Sequence, residues 1–149
     1  MCAMPRRMSC SMTIPQVLAK TKTETRRAPG TWVSTKPKDT LTLIDKCMGL
    51  KKGEKQKILA TVIVAANYVE PILNIDEAAV TREGFNCDPL EFAVFWAFAH
   101  GHGPRLRANG ITAHEFSEPP DTCRAKAIRR ALQNVNCRVI RWSYSENKP

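Results

Sequence analysis

The stretch that most limits how this chain folds is Lys20-Thr21-Lys22-Thr23-Glu24-Thr25-Arg26-Arg27. Its eight residues carry four cations, one carboxylate and three hydroxyls, with no apolar side chain. Unpaired charge is costly to remove from water. The segment is therefore expected outside the core, as a solvated loop or as a site.

The rest of the sequence bounds those alternatives. A chain of 149 residues suits one domain with a real core. No run reaches the roughly 18 apolar residues of a membrane span. Arg6 and Arg7 precede no apolar stretch of signal-peptide type, so a soluble, cytoplasmic protein is expected. The net charge of +9 is uneven. Residues 1–38 hold eight Lys/Arg against Glu24, residues 39–118 eight against eleven acids, and residues 119–149 seven against two. Positive charge at both ends fits a phosphate-bearing partner or a generic basic surface. The six cysteines form no C-x-x-C pair. His100-Gly101-His102 and the distant His114 lack a third ligand at useful spacing, so no metal and no cofactor are expected.

Periodicity and punctuation supply the elements. Thr13-Ile14-Pro15 reads as the capped start of a short helix that leads into the basic stretch. Thr31-Trp32-Val33 suggests a brief extended piece, and Lys36–Asp39 a turn. Thr40–Asp45 and Ile58–Tyr68 alternate as strands around a polar tip at Lys51–Lys55. Asn74-Ile75-Asp76-Glu77 and Asp88-Pro89-Leu90-Glu91 open two helices, ending near Gly84 and at Gly101 with Gly103. Pro89–His100 is apolar nearly all round and is expected to be buried. Ile111–Phe116 reads as a strand, Asp121–Asn134 as a helix with a thin stripe of Ala125, Ile128 and Leu132, and Cys137–Tyr144 as a last strand. An α+β domain with a basic C-terminal extension follows.

Within the basic stretch, Lys22 and Thr25 stand three apart. A threonine hydroxyl becomes a nucleophile when a base takes its proton, and a lysine serves once burial or nearby cations lower its pKa. Lys20, Arg26 and Arg27 are the neighbouring cations and candidate phosphate ligands. The same side chains equally suit a loop lining and a helix end.

Lys22–Arg27 resembles the "K-T-x-T-R-R" signature of the ASCH family. Lys36–Leu41 is similar to its "G-D-x-L" turn, with Lys38 in place of glycine. Glu70-Pro71-Ile72 resembles the exit from the long strand. Arg82-Glu83-Gly84-Phe85 with Pro89-Leu90-Glu91-Phe92 is similar to the "E-G-F…P-x-E-F" pattern of phage and prophage members. Ile111–Phe116 stands where the closing strand belongs. The resemblance spans roughly Ser9 to Ser117. It implies an ASCH domain at 9–118, with a flexible lead-in at 1–8 and the extension at 119–149. The implied fold is a small β-barrel related to the RNA-binding PUA domain, with helices over its ends and a cleft lined by the basic motif.

The family includes amidohydrolases that deacetylate N-acetylated cytidine and a ribonuclease. Carried over, Lys22 is the general base, Thr25 the nucleophile, and Glu83 the residue that positions substrate or moves a proton. Glu24 and Arg26 stand where the deacetylating enzymes have apolar residues, so this pocket is expected to be more charged. Three functions are compatible with these residues. One is an RNA- or nucleotide-binding module in which Lys20, Lys22, Arg26 and Arg27 hold phosphate and Trp32 stacks on a base. Another is an enzyme acting on a modified nucleoside or on RNA. The last is a phage interaction protein that keeps the fold without the chemistry.

Overall fold

The computed structural model describes residues 6–46, 50–112 and 118–145. Its strands are β1 (Arg6–Ser9), β2 (Glu24–Arg27), β3 (Thr40–Ile44), β4 (Ile58–Pro71) and β5 (Asn136–Tyr144). Its α-helices are α1 (Ile14–Leu18), α2 (Glu77–Glu83), α3 (Pro89–Ala99), α4 (Gly103–Ala108) and α5 (Thr122–Ala131). The strands form one sheet in the order β1-β3-β4-β5-β2. β1 runs parallel to β3, and every other pair is antiparallel.

Two irregularities bend the long strand β4. Its register slips against β3 at Leu43/Ile44 and against β5 between Val64 and Ala66. An extra residue in one strand kinks it and increases its twist. The sheet accordingly curls into a half-barrel, and the curl brings its two edges within reach of each other. Arg27 Nη2, on β2, donates to the Ser9 carbonyl at the end of β1, at 2.7 Å.

Strand β5 has apolar partners on both faces because its side chains alternate. Cys137 and Val139 join a cluster with Ile72, Val80, Phe92, Trp96, Leu106, Ile128 and Leu132. Ile140 and Trp142 join the other cluster, with Met8, Val17, Leu41, Leu43, Val62 and Val64. One core therefore lies between sheet and helices, and the other within the curl.

This arrangement corrects the expected division of the chain. Residues 119–145 are no appendix: β5 is an interior strand between β4 and β2. Helix α5 buries Ile128 and Ala131, with Leu132 buried at its C-cap, and is tied to α3 by Arg124, which makes a two-pronged bond to the buried Glu91 at 2.7 and 2.8 Å. The lead-in is likewise part of the sheet from Arg6 onward.

Local signals were followed unevenly. Asp88 caps α3 through Leu90 N–H and Glu91 N–H, and Asp121 caps α5 through Arg124 N–H, as expected. Asp76, rather than Asn74, caps α2, because residues Ile72–Asn74 form a 3-10 turn. Thr13 is buried and makes no side-chain cap. Gly84 ends α2 at φ 95°, and a Cβ there would meet Gln16 Cβ at 3.1 Å, so glycine lets α2 close onto α1. Gly103 begins α4 instead of closing α3. Thr31–Val33 is not a strand, and Trp32 sits at φ 58°. Lys38 adopts φ 79°, a conformation glycine takes freely. Ile111 and Thr112 belong to no strand, and the remainder of the expected 111–116 strand lies outside the described residues. Among the described residues no helix is long and apolar enough to cross a membrane.

Removing residues 119–149 deletes an interior strand, so the shortened chain is expected to lose cooperative unfolding in urea followed by circular dichroism. In the full chain, Leu132→Ala is expected to destabilise by about 2–5 kcal/mol. A truncated chain with an intact cooperative transition would contradict the integral placement of β5.

Candidate functional site

The basic stretch is exposed at Lys20 and Thr21 but largely enclosed from Lys22 onward, and it is not wholly a loop. Lys22, Glu24, Thr25 and Arg26 are all at most 5% exposed. Burial is tolerated because the charges are paired. Along β2 the side chains alternate, so Glu24 and Arg26 share one face while Thr25 and Arg27 share the other. Opposite Glu24 in the ladder stands Arg141, whose Nε donates to Glu24 Oε1 at 2.6 Å. Arg82 Nε, from α2, reaches the same oxygen at 2.9 Å. Arg26 Nη1 pairs with the other oxygen, and Arg26 Nη2 reaches Glu70 of β4 at 3.1 Å. One carboxylate thus gathers guanidinium groups from β2, α2 and β5. Burial works against its ionisation, but Arg26 and then Arg82 outweigh burial and hold the Glu24 carboxyl below its ordinary range.

Thr25 and Arg27 face a cleft of about 220 Å³. Lys22, Thr25 and Glu83 all line it. Lys22 Nζ donates to the Glu83 carbonyl at 2.6 Å and lies 3.7 Å from Glu83 Oε2. Glu83 Oε1 accepts the Arg26 backbone N–H at 2.6 Å. Arg27 Nε donates to Thr25 Oγ1 at 3.3 Å, leaving the hydroxyl proton free to be directed elsewhere. Burial pushes the Glu83 carboxyl above its ordinary range, against the opposing pull of Lys22, Arg26 and the Arg26 N–H. A carboxyl tuned upward beside a cation has the character of a proton-transfer group.

The backbone around Lys22 is held from two sides. Its carbonyl accepts from Trp142 Nε1 at 3.1 Å and from the Tyr144 hydroxyl. Its N–H donates to the Gln16 carbonyl at 3.2 Å, and Thr23 N–H donates to the Arg82 carbonyl at 2.8 Å. A left-handed Lys20, φ 62°, turns the chain into this clamp.

The other sequence-derived candidates fall differently. Lys20 is exposed and stands outside the cleft lining. Arg26 lines the cleft, but its guanidinium is engaged by Glu24 and Glu70. Arg27 and Lys22 also line the cavity, Arg27 bonded to Thr25 Oγ1 and the Ser9 carbonyl and Lys22 to Glu83, with neither side chain held between two carboxylates as Arg26 is. Trp32 is not part of the lining; it packs against the core within the curl, under the Arg6 guanidinium at 3.9 Å from the ring centroid.

The aromatic surface comes from elsewhere. Phe85, Phe92, Phe95, Trp96 and His100 line the cleft. Phe92, Trp96 and His100 are spaced four apart and so lie on one face of α3 and its end. Trp96 Nε1 donates to the Arg26 carbonyl at 3.1 Å, so α3 and Glu83 together satisfy the backbone of β2 at its free edge. Cys10 also lines the cavity, its thiol pushed up by burial. The four-residue spacing was visible in the sequence, but it marked a buried helix and not a cavity wall. Among the described residues no three His, Cys, Asp or Glu stand together as a metal site.

No family model and no curated protein matches this chain. Among experimental structures, the fold is similar to the crystal structure of a protein from Enterococcus faecalis V583 with the family-model designation DUF984. The TM-score is 0.50 at 11% identity, over 97% of this chain and 81% of that one. Identity this low speaks to fold alone. The shared fold is a mixed α+β domain with a curled sheet and several helices.

Glu24→Gln removes the charge that three guanidinium groups share. It is expected to destabilise the protein by about 3–5 kcal/mol at neutral pH, measured by urea unfolding. Because the Glu24 carboxyl is held low in the fold, its stabilisation is complete above the ordinary glutamate range and is lost as pH falls through the lowered value. The gap between wild type and variant should therefore shrink under acid. A pH-independent gap would contradict this role.

Proposed function

We propose that the cleft binds RNA or a nucleotide-type ligand within a domain of the ASCH, PUA-like kind, with a flat base held against its aromatic surface. The observation that carries this is the convergence of Lys22, Thr25 and Glu83 on one cavity whose lining also includes Phe85, Phe92, Phe95 and Trp96. Aromatic faces accept any base by stacking, at about 1–3 kcal/mol each. Polar groups beside them give orientation. With the Arg26 guanidinium turned to Glu24 and Glu70, phosphate contact falls to Arg27 and Lys22, with Lys20 outside.

A second reading, hydrolysis of an N-acetylated cytidine-type nucleoside, is favoured by the surroundings of Thr25. In that reaction Lys22 first passes its ammonium proton to the Glu83 carboxylate, and the neutral amine then takes the hydroxyl proton as Thr25 Oγ1 forms a bond to the amide carbonyl carbon. The C–N bond breaks, the proton returns to the leaving amine, and water then releases acetate from the threonyl ester. Arg27 Nε, already bonded to Thr25 Oγ1, steadies the attacking oxygen. In this reading Glu83, which contacts Lys22 through its carbonyl and carboxyl, holds that side chain and moves the second proton.

Purified protein incubated with N-acetylcytidine, cytidine and single-stranded RNA separates these readings. Acetate release that Thr25→Ala abolishes and Glu83→Gln lowers by about 10²–10⁴-fold marks the hydrolase. Absence of turnover, with RNA affinity that falls steeply as salt rises, marks the binding protein. RNA cleavage that depends on the same residues marks a ribonuclease. Failure of all three ligands overturns both readings and leaves a phage-type interaction protein. RNA affinity untouched by both Lys22→Ala and Arg27→Ala removes the cleft as the RNA site.

A further inference from the structure

We propose that His100 is a ligand-contacting residue of the cleft, whose ring is fixed so that Nε2 offers a lone pair to an N–H or O–H of the bound molecule. This rests on the ligand-binding reading above and names a contact within it. His100 follows the last residue of α3, and its Nδ1 lies 2.7 Å from the Trp96 carbonyl oxygen. A carbonyl oxygen only accepts, so Nδ1 carries the hydrogen. In a neutral imidazole the other nitrogen is then an acceptor. Among the described residues Nε2 meets no hydrogen-bonding partner.

The ring is also held in plane. It stacks on Trp96 with centroids 4.2 Å apart and 17° between planes. Trp96 is itself anchored by its indole N–H to the Arg26 carbonyl. His100 is thereby registered against β2, the strand that carries Thr25 and Arg27. The charged and titratable groups facing it are Arg27 from β2 and His102 from the turn after α3, with Lys22, Glu83 and Cys10 elsewhere on the cleft lining. Burial, then the charges of Arg27 and His102, favours the neutral ring, against the pull of the Trp96 carbonyl bond. A protonated ring has no acceptor. Affinity for a ligand that donates to Nε2 therefore falls as pH drops through the lowered histidine value.

The test combines imidazole ¹⁵N NMR of the free protein with calorimetric titration of cytidine and N-acetylcytidine between about pH 5 and pH 8. The expected tautomer is Nδ1–H, with an Nε2 resonance that shifts when nucleoside is added. His100→Asn keeps an N–H for the Trp96 carbonyl but has no ring acceptor. It is expected to bind about tenfold more weakly at neutral pH and to lose the part of the pH profile that wild type shows beyond Glu83 titration. His100→Phe, which keeps the stack, should behave alike. An Nε2–H tautomer, or variants matching wild type in affinity and pH profile, overturns the proposal while leaving the cleft as a binding site. Wild type that binds neither nucleoside overturns the binding reading and this contact with it. Should both variants unfold, the wild-type tautomer and the response of Nε2 to nucleoside decide the matter.

Discussion

The buried carboxylate of Glu24 is the point at which the sheet, helix α2 and the cleft are joined. Fully enclosed, it would be intolerable alone, yet Arg26, Arg82 and Arg141 surround it with donors. That pairing lets β2 run through the interior as a strand instead of a solvated loop. Once β2 lies on β5, alternation turns Thr25 and Arg27 away from the ion cluster and toward the cavity. Thr25 and Arg27 are thus placed by the charges on the opposite face of the same four-residue strand.

Glu83 completes the arrangement from the other side. Its carboxylate accepts the Arg26 N–H, and its carbonyl accepts from Lys22. Trp96 takes the Arg26 carbonyl. The free edge of β2 is therefore closed by a helix end and an indole, which also manages the exposure that edge strands risk. Glu83 has a structural role and a raised carboxyl in the same place, and the two need not compete.

The sequence was most legible where one periodicity dominated. β3, β4 and β5 followed their alternation, and α3 and α5 followed an aspartate at the start of each. The resemblance linked Glu83 to Lys22 and Thr25 across about sixty positions, and the structure lines one cavity with all three. β2 was hidden because its polarity is compensated only at long range: Arg141 lies 117 positions from Glu24. The role of residues 119–149 was hidden for the same reason, since their charges read as surface while Arg124 and Arg141 answer buried carboxylates. Trp32 was the visible aromatic near the basic stretch. The cleft instead draws its aromatic residues from α3, which tertiary packing alone brings to β2.

In the proposed reading a nucleoside-like ligand sits in the cavity between β2 and α3. The three tryptophans give it a direct readout, because their indole N–H signals report distinct places: Trp96 in the cleft, Trp142 against the Lys22 carbonyl, and Trp32 under Arg6. Titrating ¹⁵N-labelled protein with cytidine and N-acetylcytidine should move the Trp96 indole resonance in a saturable way while Trp32 stays in place. Movement of Trp32 with Trp96 unchanged, or no saturable change at any of the three, would contradict it.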